Sequence, residues 1–326
     1  MLIRMLRAVL WSSALLLPGL VLAQATPVVR LQNLAHAVTS LDKTVPLYRD
    51  ALGFAVNGDP LARQPQALNG EMSKFTGTSG MSFRAATFKI PNAEFGFELT
   101  EFTGAAREAG VPRVQDIGAA MLVLRVRDVP AMLAKALAAG AKVASTGGAP
   151  VGNAVVLRDP DGFFVELQQP ATPPAGVTGD ILGASINLSV ADADKSAEFL
   201  RKAVGFEARP ASAVTSNPTV LKLIGLDKAE WRIAHGHIPG TTADFGLIEY
   251  RGLPRSMFSP SAKNPGAPAF TMVVGNIVSA TNQWVKSGGI VASTGGEPII
   301  QSNGAGNVFV KDIDGFTWEL IQHAAQ

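Results

Sequence analysis

The sequence contains no cysteine, and this absence removes several kinds of chemistry before any motif is considered. With 0 cysteines among 326 residues, the chain can form no disulfide and no thiolate metal site, and it has no cysteine nucleophile. Its stability must therefore come from side-chain packing. Hydrophobic residues make up 47% of the chain, which is enough for two domains with ordinary cores.

The sequence also lacks an excess of charge of either sign. Its formal net charge is +2, and Arg4 and Arg7 are the only charged residues among the first 25. The rest of the chain therefore balances 26 basic residues against 26 acidic ones. A neutral chain without a Lys/Arg block gives no reason to expect nucleic acid or an anionic membrane surface as a partner.

The first 25 residues have the pattern of a secretory signal peptide. Two arginines precede an apolar run over residues 8–22, and Ala23-Gln24-Ala25 is a small-residue cleavage site. The apolar run is shorter than a membrane-spanning helix requires. We therefore expect export to the periplasm or the exterior, with no membrane attachment after cleavage. An uncleaved N-terminal anchor is the alternative.

A long internal repeat divides the rest of the chain into two homologous halves. Residues 74–148 match residues 222–296 without a gap, at a constant offset of 148. A repeat of this length indicates two homologous domains rather than a solenoid. We place the first domain at residues 26–169, a proline-rich linker at 170–180 and the second domain at 181–326.

Within each half, the order of elements repeats again as strand, helix and three strands. In the first half, a strand over residues 30–38 precedes a helix predicted over 41–52, with Ser40 as its N-cap. The second unit begins with a strand over 120–126, and its helix begins at Asp128. The sequence therefore predicts the α+β class, with two βαβββ units per domain whose open sheet faces form a half-barrel cleft.

One hairpin motif occurs near the end of each half. Arg158-Asp-Pro-Asp-Gly-Phe-Phe-Val-Glu166 and Lys311-Asp-Ile-Asp-Gly-Phe-Thr-Trp-Glu319 each place an Asp-Gly turn between two strands. A single glutamate, Glu166 or Glu319, interrupts each apolar second strand. Such a carboxylate faces water, binds a metal ion or transfers a proton, and the motif alone leaves these three interpretations open.

These motifs resemble the vicinal oxygen chelate superfamily, which includes glyoxalase I, extradiol dioxygenases, methylmalonyl-CoA epimerase and bleomycin-resistance proteins. Residues 41–54, which end in Leu-Gly-Phe, look like the opening helix of that family, and residues 159–166 look like its last hairpin. The resemblance covers nearly the whole mature chain. It implies two tandem glyoxalase-like domains, each with a cleft for a small molecule.

The resemblance also implies that the metal-binding histidines of the family are missing. In the first domain, the two histidine positions fall on Asn33 and Met121. In the second domain, they fall on Ser185 and Ala269. We therefore expect that metal chemistry is reduced or lost, that at least one domain acts as an apolar ligand-binding cleft, and that no cofactor is needed.

The acidic ligands of the family are only partly retained. The terminal glutamate is present as Glu166 and Glu319, whereas the other acidic position matches Glu98 in the first domain and Gly246 in the second. The resemblance thus makes Glu166 the catalytic candidate, because Glu98 and Asn33 belong to the same domain. The implied ligand-binding residues are Asn33, Ala35, Ala37, Glu98, Met121, Val123, Phe164, Ser185, Asn187 and Glu319.

Three functions are compatible with these features. The first is binding of a small, largely apolar molecule in a cleft. The second is a divalent-metal-dependent lyase, epimerase or dioxygenase in which Asn33, Glu98 and Glu166 hold a hard ion such as Mg²⁺, Ca²⁺ or Mn²⁺. The third is a partner-binding scaffold. The sequence leaves open the oligomeric state, and whether each cleft forms within one domain or by exchange between domains.

Five further polar residues need an interpretation. The strand alternation predicts that His36 points away from the cleft. His235 and His237 are two apart on one strand face, and we interpret them as a solvent-facing edge rather than a metal site. Arg84 and Arg232 occupy equivalent positions, where each either binds an anionic substrate or forms an ion pair with a nearby acid.

Overall fold

The computed structural model describes residues 28–324 except positions 69, 78–79, 105, 239–240 and 242–243. The predicted signal peptide lies outside the described residues. None of the helices within this part of the chain is both long enough and apolar enough to cross a bilayer.

The first half of the chain contains two successive units, which we call module 1 and module 2. Module 1 comprises β1 (Val28–Val38), α1 (Leu41–Pro46), β2 (Ala55–Val56), β3 (Gln66–Ala67), α2 (Gly70–Thr76), β4 (Ser82–Lys89) and β5 (Gly96–Thr103). Module 2 comprises β6 (Ala120–Val126), α3 (Val129–Ala138), β7 (Lys142–Val143), β8 (Ala154–Arg158) and β9 (Phe164–Gln168).

The second half repeats this order as module 3 and module 4. Module 3 comprises β10 (Ile181–Ser189), α4 (Ala193–Val204), β11 (Glu207–Ala208), α5 (Pro218–Leu223), β12 (Glu230–His237) and β13 (Asp244–Arg251). Module 4 comprises β14 (Pro268–Val274), α6 (Ile277–Lys286), β15 (Ile290–Val291), β16 (Ile299–Ile300), β17 (Gly306–Lys311) and β18 (Thr317–Gln322). The predicted α+β class is confirmed.

The four modules combine by exchange between the two halves of the chain. Modules 1 and 4 form one sheet in the order β15-β17-β18-β14-β1-β5-β4-β2, with β16 beside β17 and β3 beside β4. Modules 2 and 3 form the other sheet, in the order β11-β12-β13-β10-β6-β9-β8-β7. Antiparallel pairs join the modules, β1 with β14 and β10 with β6. Each sheet therefore needs both halves of the chain.

The helices and the inner faces of both sheets share one apolar core. Leu34 and Phe270 from one sheet and Leu122 and Leu188 from the other are at most 1% exposed, and they belong to one cluster that includes Trp284 of α6. Because successive strand residues point to opposite faces, the alternate residues of these strands point away from the core. They form an outer face on each sheet, and these two faces are the candidate clefts.

The repeated Asp-x-Asp-Gly segment closes each hairpin with a longer loop than a two-residue turn. Loop 159–163 lies between β8 and β9. Asp159 Oδ1 accepts hydrogen bonds of 2.9 Å from the backbone N–H groups of Asp161 and Phe163. Gly162 has a φ of 89°, a conformation that glycine adopts without strain. The motif is therefore required by the loop conformation itself.

The second aspartate of each motif fastens the helix of the preceding module. The carboxylate of Asp161 accepts hydrogen bonds from the Thr39 N–H at 2.7 Å and the Thr44 hydroxyl at 2.8 Å. Asp314 likewise accepts a bond of 2.7 Å from the Ala191 N–H. A carboxylate at a helix N-terminus satisfies free N–H groups and interacts favourably with the helix dipole. These aspartates therefore connect module 1 to module 2 and module 3 to module 4 by hydrogen bonds.

Candidate ligand-binding clefts

The outer face of the sheet built from modules 1 and 4 brings together Asn33, Glu98 and Glu319, and we call it the acidic cleft. In the sheet, Asn33 lies opposite Thr271 and Ala35 lies beside Glu98. Glu319 in turn lies beside Thr271. Residues that lie side by side on neighbouring strands point to the same face, so the two carboxylates and the amide share this cleft.

Both carboxylates of the acidic cleft are held by uncharged donors. Glu98 accepts hydrogen bonds from two threonines and Glu319 from a threonine and an asparagine, namely Thr87 (3.1 Å), Thr100 (3.4 Å), Thr271 (3.0 Å) and Asn307 (3.2 Å). Burial raises the pKa of both carboxyls. The charge of Glu98 adds to this effect at Glu319, whose pKa rises to about 7. A proton or a cation between them would relieve this repulsion.

Helix α2 of module 1 closes the acidic cleft against module 4. Phe75 of α2 stacks on Phe309 of β17 with ring centroids 4.2 Å apart, and Phe309 lies opposite Glu319 on the neighbouring strand. The Thr294 N–H also donates to the Lys74 carbonyl at 3.1 Å. An aromatic stack therefore lies beside one of the two carboxylates.

The outer face of the sheet built from modules 2 and 3 borders a partly open cavity of about 240 Å³, and we call this face the apolar cleft. Helix α5 covers it through Val220, Leu223 and Ile224. Among the described residues that line the cavity, Glu166 is the only charged one. The other lining residues are apolar or neutral polar, and they include Met121, Gln168, Asn187, Trp231, Ile233, Ile248 and Tyr250.

Glu166 projects into these apolar surroundings from β9. Its strand neighbour on β6 is Val123, and burial raises the pKa of Glu166 to about 7. Burial, together with the nearby charge of Glu166, also raises the pKa of Tyr250. The cleft therefore holds a neutral phenol and one carboxyl that exchanges its proton near neutral pH.

Gly246 explains why the apolar cleft contains only one acid among its described residues. Asn187 lies beside Gly246 on β13, in the same way that Ala35 lies beside Glu98 on β5. A Cβ atom at Gly246 would lie 2.4 Å from Asn187 Oδ1 and 2.9 Å from Ile233 Cδ1. The Asn187 amide thus takes the space that a side chain at this position would need.

The structure does not bring together the predicted set of Asn33, Glu98 and Glu166. Asn33 and Glu98 lie in one sheet and Glu166 lies in the other. Because the modules exchange partners, the acid that joins Asn33 and Glu98 is Glu319. The expectation that Glu166 shares a site with Asn33 and Glu98 must therefore be corrected, because Glu166 lies in the other sheet.

The other predicted cleft residues divide between the two sheets in the same way. Ala35 and Ala37 lie on β1 beside the acidic cleft. The remaining residues lie on β6, β9 and β10 of the second sheet, namely Met121, Val123, Phe164, Ser185 and Asn187. Of these, Met121 and Asn187 line the 240 Å³ cavity.

Several residues that line the apolar cleft were not predicted. Val220 and Ile224 belong to the α5 region, and Trp231, Ile248 and Tyr250 belong to β12 and β13. The alternation of Ile248 and Tyr250 along β13 indicated one sheet face. It did not indicate that this face would meet Glu166 of the other half.

One buried group of side chains has the spacing of a metal site but lies in the core. Donor atoms of His36, Asp159 and Asp161 lie within 4.8 Å of one another, and His36 Nε2 is 3.1 Å from Asp159 Oδ2. The carboxylates already accept hydrogen bonds, including one of 3.0 Å from the Tyr48 hydroxyl. His36 is 0% exposed and packs on Phe163. The prediction that His36 points away from the cleft is confirmed.

The two equivalent arginines are engaged in ion pairs. Arg84 Nη2 lies 3.0 Å from Glu101 and Arg232 Nε lies 2.7 Å from Glu249. These glutamates also accept hydrogen bonds from the first backbone N–H groups of α1 and α4, at 2.7 and 3.1 Å. Of the two interpretations, the structure therefore supports an ion pair that orders the helix start.

The two histidines of β12 lie at the open end of the second sheet. His235 is exposed, and His237 lies 3.3 Å from Glu207 on the short strand β11. The His237 side chain is 42% exposed. Both histidines thus face solvent as predicted, but β12 is not the edge strand, because β11 pairs with it.

Comparison with known proteins identifies the fold. The model of the Glyoxalase/Bleomycin resistance protein/Dioxygenase superfamily matches residues 30–167. Residues 30–167 therefore belong to this superfamily. Glyoxalase I from Zea mays is 18% identical, with a TM-score of 0.58 over 90% of this chain and 92% of the maize chain. A point mutant of that enzyme is also 18% identical, with a TM-score of 0.58 over 90% of this chain and 93% of the mutant chain.

A second relative of the superfamily shares the fold at lower similarity. A proposed dioxygenase from Bacillus subtilis subsp. subtilis str. 168 is 13% identical, with a TM-score of 0.50 over 91% of this chain and 86% of that one. No curated protein matches the sequence. At these identities the structural likeness shows a shared fold.

The donor atoms present decide which cleft suits the divalent metal that the resemblance to this superfamily implies. The acidic cleft offers two carboxylates and the Asn33 amide, an all-oxygen set that fits a hard ion. The apolar cleft offers Glu166 as its one carboxylate among the described lining residues, beside the neutral Gln168 and Asn187 amides. One carboxylate cannot provide the several ligands that selective binding requires, so only the acidic cleft fits a metal.

Proposed function

We propose that the protein binds a small, largely apolar molecule in the apolar cleft. The observation that carries this proposal is the partly open cavity of about 240 Å³ under α5. Its volume lies between the ~150 Å³ of an engineered cavity that binds benzene and the ~300 Å³ of small ligand pockets. A single ring with short substituents fits this space.

The charge of the lining favours a neutral ligand. Glu166 is the only carboxylic acid among the described residues of the cavity wall, and its pKa of about 7 leaves it largely uncharged below neutral pH. In the protonated form it can donate a hydrogen bond, and in the ionised form it only accepts. It therefore supplies one titratable contact in a cavity whose other described lining residues are apolar or neutral polar.

We also propose that the mature chain is exported. The basic start, the apolar run and the small-residue site within the first 25 residues support this. Cell fractionation followed by N-terminal sequencing of the mature protein tests it. A mature chain that begins at residue 26 is the expected result, and an intact N-terminus in the membrane fraction would contradict it.

Toluene is a suitable probe of the apolar cleft because it has one ring and no polar group. Calorimetric titration of the purified protein should give a dissociation constant below about 1 mM, equivalent to ~4 kcal/mol. Val220→Trp fills the cavity from α5 and should weaken toluene binding at least about tenfold. Met72 is the equivalent residue on α2 and is 40% exposed, so Met72→Trp is the matched control. Equal toluene binding by both variants would place the ligand elsewhere.

The acidic cleft carries a second candidate function, which is chemistry that depends on a divalent metal. The supporting observation is that Glu98 and Glu319 face the same cleft and interact electrostatically. Together with Asn33, they would hold a hard cation such as Mg²⁺, Ca²⁺ or Mn²⁺. Such an ion supplies Lewis-acid polarisation of a substrate oxygen.

Titration with Mn²⁺ in a chelator-free buffer tests this candidate. We expect one ion per chain, bound by the wild-type protein and lost in Glu98→Gln and Glu319→Gln, because each substitution removes a charged ligand. Glu166→Gln is the control and should bind Mn²⁺ as the wild-type protein does. If Glu166→Gln were the variant that lost the ion, the assignment to the acidic cleft would be wrong.

A further inference from the structure

Ser189, the last residue of β10, presents a buried hydroxyl without a protein partner among the described residues. The residue is 4% exposed, and no described group forms a hydrogen bond with its Oγ atom. Both of its backbone groups form hydrogen bonds, because its N–H donates to the Ala119 carbonyl and its carbonyl accepts from the Gly118 N–H, both at 2.9 Å. A buried hydroxyl is normally satisfied by a partner, so the structure calls for a polar atom from outside the chain.

The Ser189 side chain lines a small cavity next to the larger one. This second cavity has a volume of about 10 Å³, which is about the space that one oxygen-sized group occupies. Its lining also includes Val114, Ala119 and Phe164. Four residues line both cavities, namely Met121, Asn187, Ile248 and Tyr250. The small cavity therefore extends the apolar cleft by the size of one polar atom.

The residues that line both cavities disfavour a charged ligand atom next to Ser189. Among the described residues, no lysine, arginine or histidine lines either cavity, and the small cavity contains no acid. A hydroxyl such as that of Ser189 can both donate and accept a hydrogen bond. A neutral hydroxyl or carbonyl oxygen is therefore a suitable partner, whereas an anion would lose its hydration without compensation.

The equivalent strand position in the acidic cleft carries a methyl group instead of this hydroxyl. Asn187 occupies the sheet position that corresponds to Ala35, so Ser189, two residues further along the strand, corresponds to Ala37. The hydroxyl is thus a specific property of the apolar cleft rather than a feature of the repeated fold.

We propose that the apolar cleft recognises a neutral, ring-sized apolar molecule with one hydroxyl or carbonyl oxygen, and that this oxygen forms a hydrogen bond with Ser189 Oγ. The ring occupies the 240 Å³ cavity and the oxygen occupies the 10 Å³ cavity. This inference rests on the proposed binding function, which supplies the site for the ring.

Toluene and p-cresol are matched probes, because p-cresol is toluene with one added hydroxyl. Calorimetric titration of the wild-type protein should show that p-cresol binds about tenfold more tightly than toluene. Ser189→Ala should abolish this preference while toluene binding changes less than about twofold. Ala37→Ser adds a hydroxyl at the equivalent position of the acidic cleft and should leave both affinities unchanged. Thermal unfolding of each variant confirms that it is folded.

The possible outcomes separate this inference from the proposed function. If neither probe binds, the proposed function fails and this inference fails with it. If toluene binds but p-cresol gains nothing, or keeps its advantage in Ser189→Ala, the binding function stands and the small cavity holds a single water only. If Glu166→Gln abolishes the preference and Ser189→Ala does not, the oxygen is bound by Glu166, which also overturns the inference.

Discussion

The acidic cleft and the apolar cleft are built from equivalent modules, yet they offer opposite chemical environments. The acidic cleft contains Glu98 and Glu319, whereas the apolar cleft contains Glu166 and, in place of the second acid, Gly246. The Asn187 amide fills the vacated space. One pair of neighbouring positions, Glu98 with Ala35 in one cleft and Gly246 with Asn187 in the other, therefore separates a cleft with two carboxylates from a cleft with one.

The two covering helices also differ in how they close their clefts. Phe75 of α2 stacks on Phe309 beside Glu319, so two aromatic rings close the acidic cleft on this side. Helix α5 is instead anchored at its end, where the Ser145 hydroxyl donates to the Leu223 carbonyl at 2.7 Å. Residues 145–148 and 293–296 have the same sequence, Ser-Thr-Gly-Gly, and form equivalent turns that contact these helices. The anchoring of α5 leaves space beneath it for a ligand.

The largest expected effect comes from converting the apolar cleft into an acidic one. Gly246→Glu alone should destabilise the protein by about 2–4 kcal/mol, because the side chain collides with Asn187 and buries a charge. In the double variant Asn187→Ala/Gly246→Glu, the collision is relieved and most of this stability should return. Urea unfolding measures both steps.

The same double variant tests whether a pair of carboxylates accounts for the difference between the two clefts. It places a second carboxylate three strands away from Glu166, the same separation as between Glu98 and Glu319. We expect it to bind one more Mn²⁺ per chain than the wild-type protein, measured by titration. A stable double variant without additional Mn²⁺ would show that the acid pair is not what distinguishes the clefts.

The pH dependence of stability should distinguish an isolated acid from an interacting pair. The folded protein keeps the proton of Glu166 up to a pKa of about 7, whereas the unfolded chain releases it near pH 4.5. Folding is therefore favoured by this group below about pH 4.5, and the contribution is lost as the pH rises to about 7. We expect the free energy of unfolding to fall with rising pH by about 1–3 kcal/mol less in Glu166→Gln than in the wild-type protein. Urea unfolding between about pH 4.5 and about pH 8 measures this difference.

The matched variant in the acidic cleft is Glu98→Gln. It removes the charge that raises the pKa of Glu319, so the titration of Glu319, followed by carboxyl NMR, should shift to lower pH. The titration of Glu166 should stay unchanged, because it lies in the other sheet. A shift at Glu166 instead would mean that the clefts are electrostatically coupled.

The smallest expected effect concerns the anchoring of the covering helices. Ser145→Ala removes the donor to Leu223 and the acceptor of the Val156 N–H, at a cost of about 1–2 kcal/mol. The equivalent Ser293 accepts a bond from the Phe309 N–H. Hydrogen exchange should accelerate in α5 for Ser145→Ala, whereas Ser293→Ala should leave α2 protected through its aromatic stack. Equal acceleration in both variants would contradict the difference in anchoring.

Features that depend on local sequence were predicted well. The strand over 120–126 coincides with β6, and Asp128 caps α3 by accepting a bond of 2.9 Å from the Ala131 N–H. Hydrophobic alternation and capping residues act over a few positions, so the sequence reports them directly. The duplicated order of elements followed from the constant offset between the halves.

The first helix shows where local prediction stops. The predicted helix over 41–52 is α1 followed by a π-helical turn, Leu47–Ala51, after Pro46, which lacks the N–H that a regular helix needs. Ser40 precedes the helix but its side chain forms no cap bond. The Leu41 N–H instead donates to Glu101 at 2.7 Å, a residue 60 positions away that only folding brings to this helix.

The family resemblance, the α+β class, the duplicated modules and the positions of the three cleft carboxylates follow from the amino-acid sequence, because each depends on local patterns and spacing. Which of these carboxylates meet depends on how the modules pair in the folded chain. The pairing of β1 with β14 and of β6 with β10 depends on contacts between distant segments, which no local pattern specifies. That pairing places Glu98 with Glu319, and it leaves Glu166 alone in the apolar cleft.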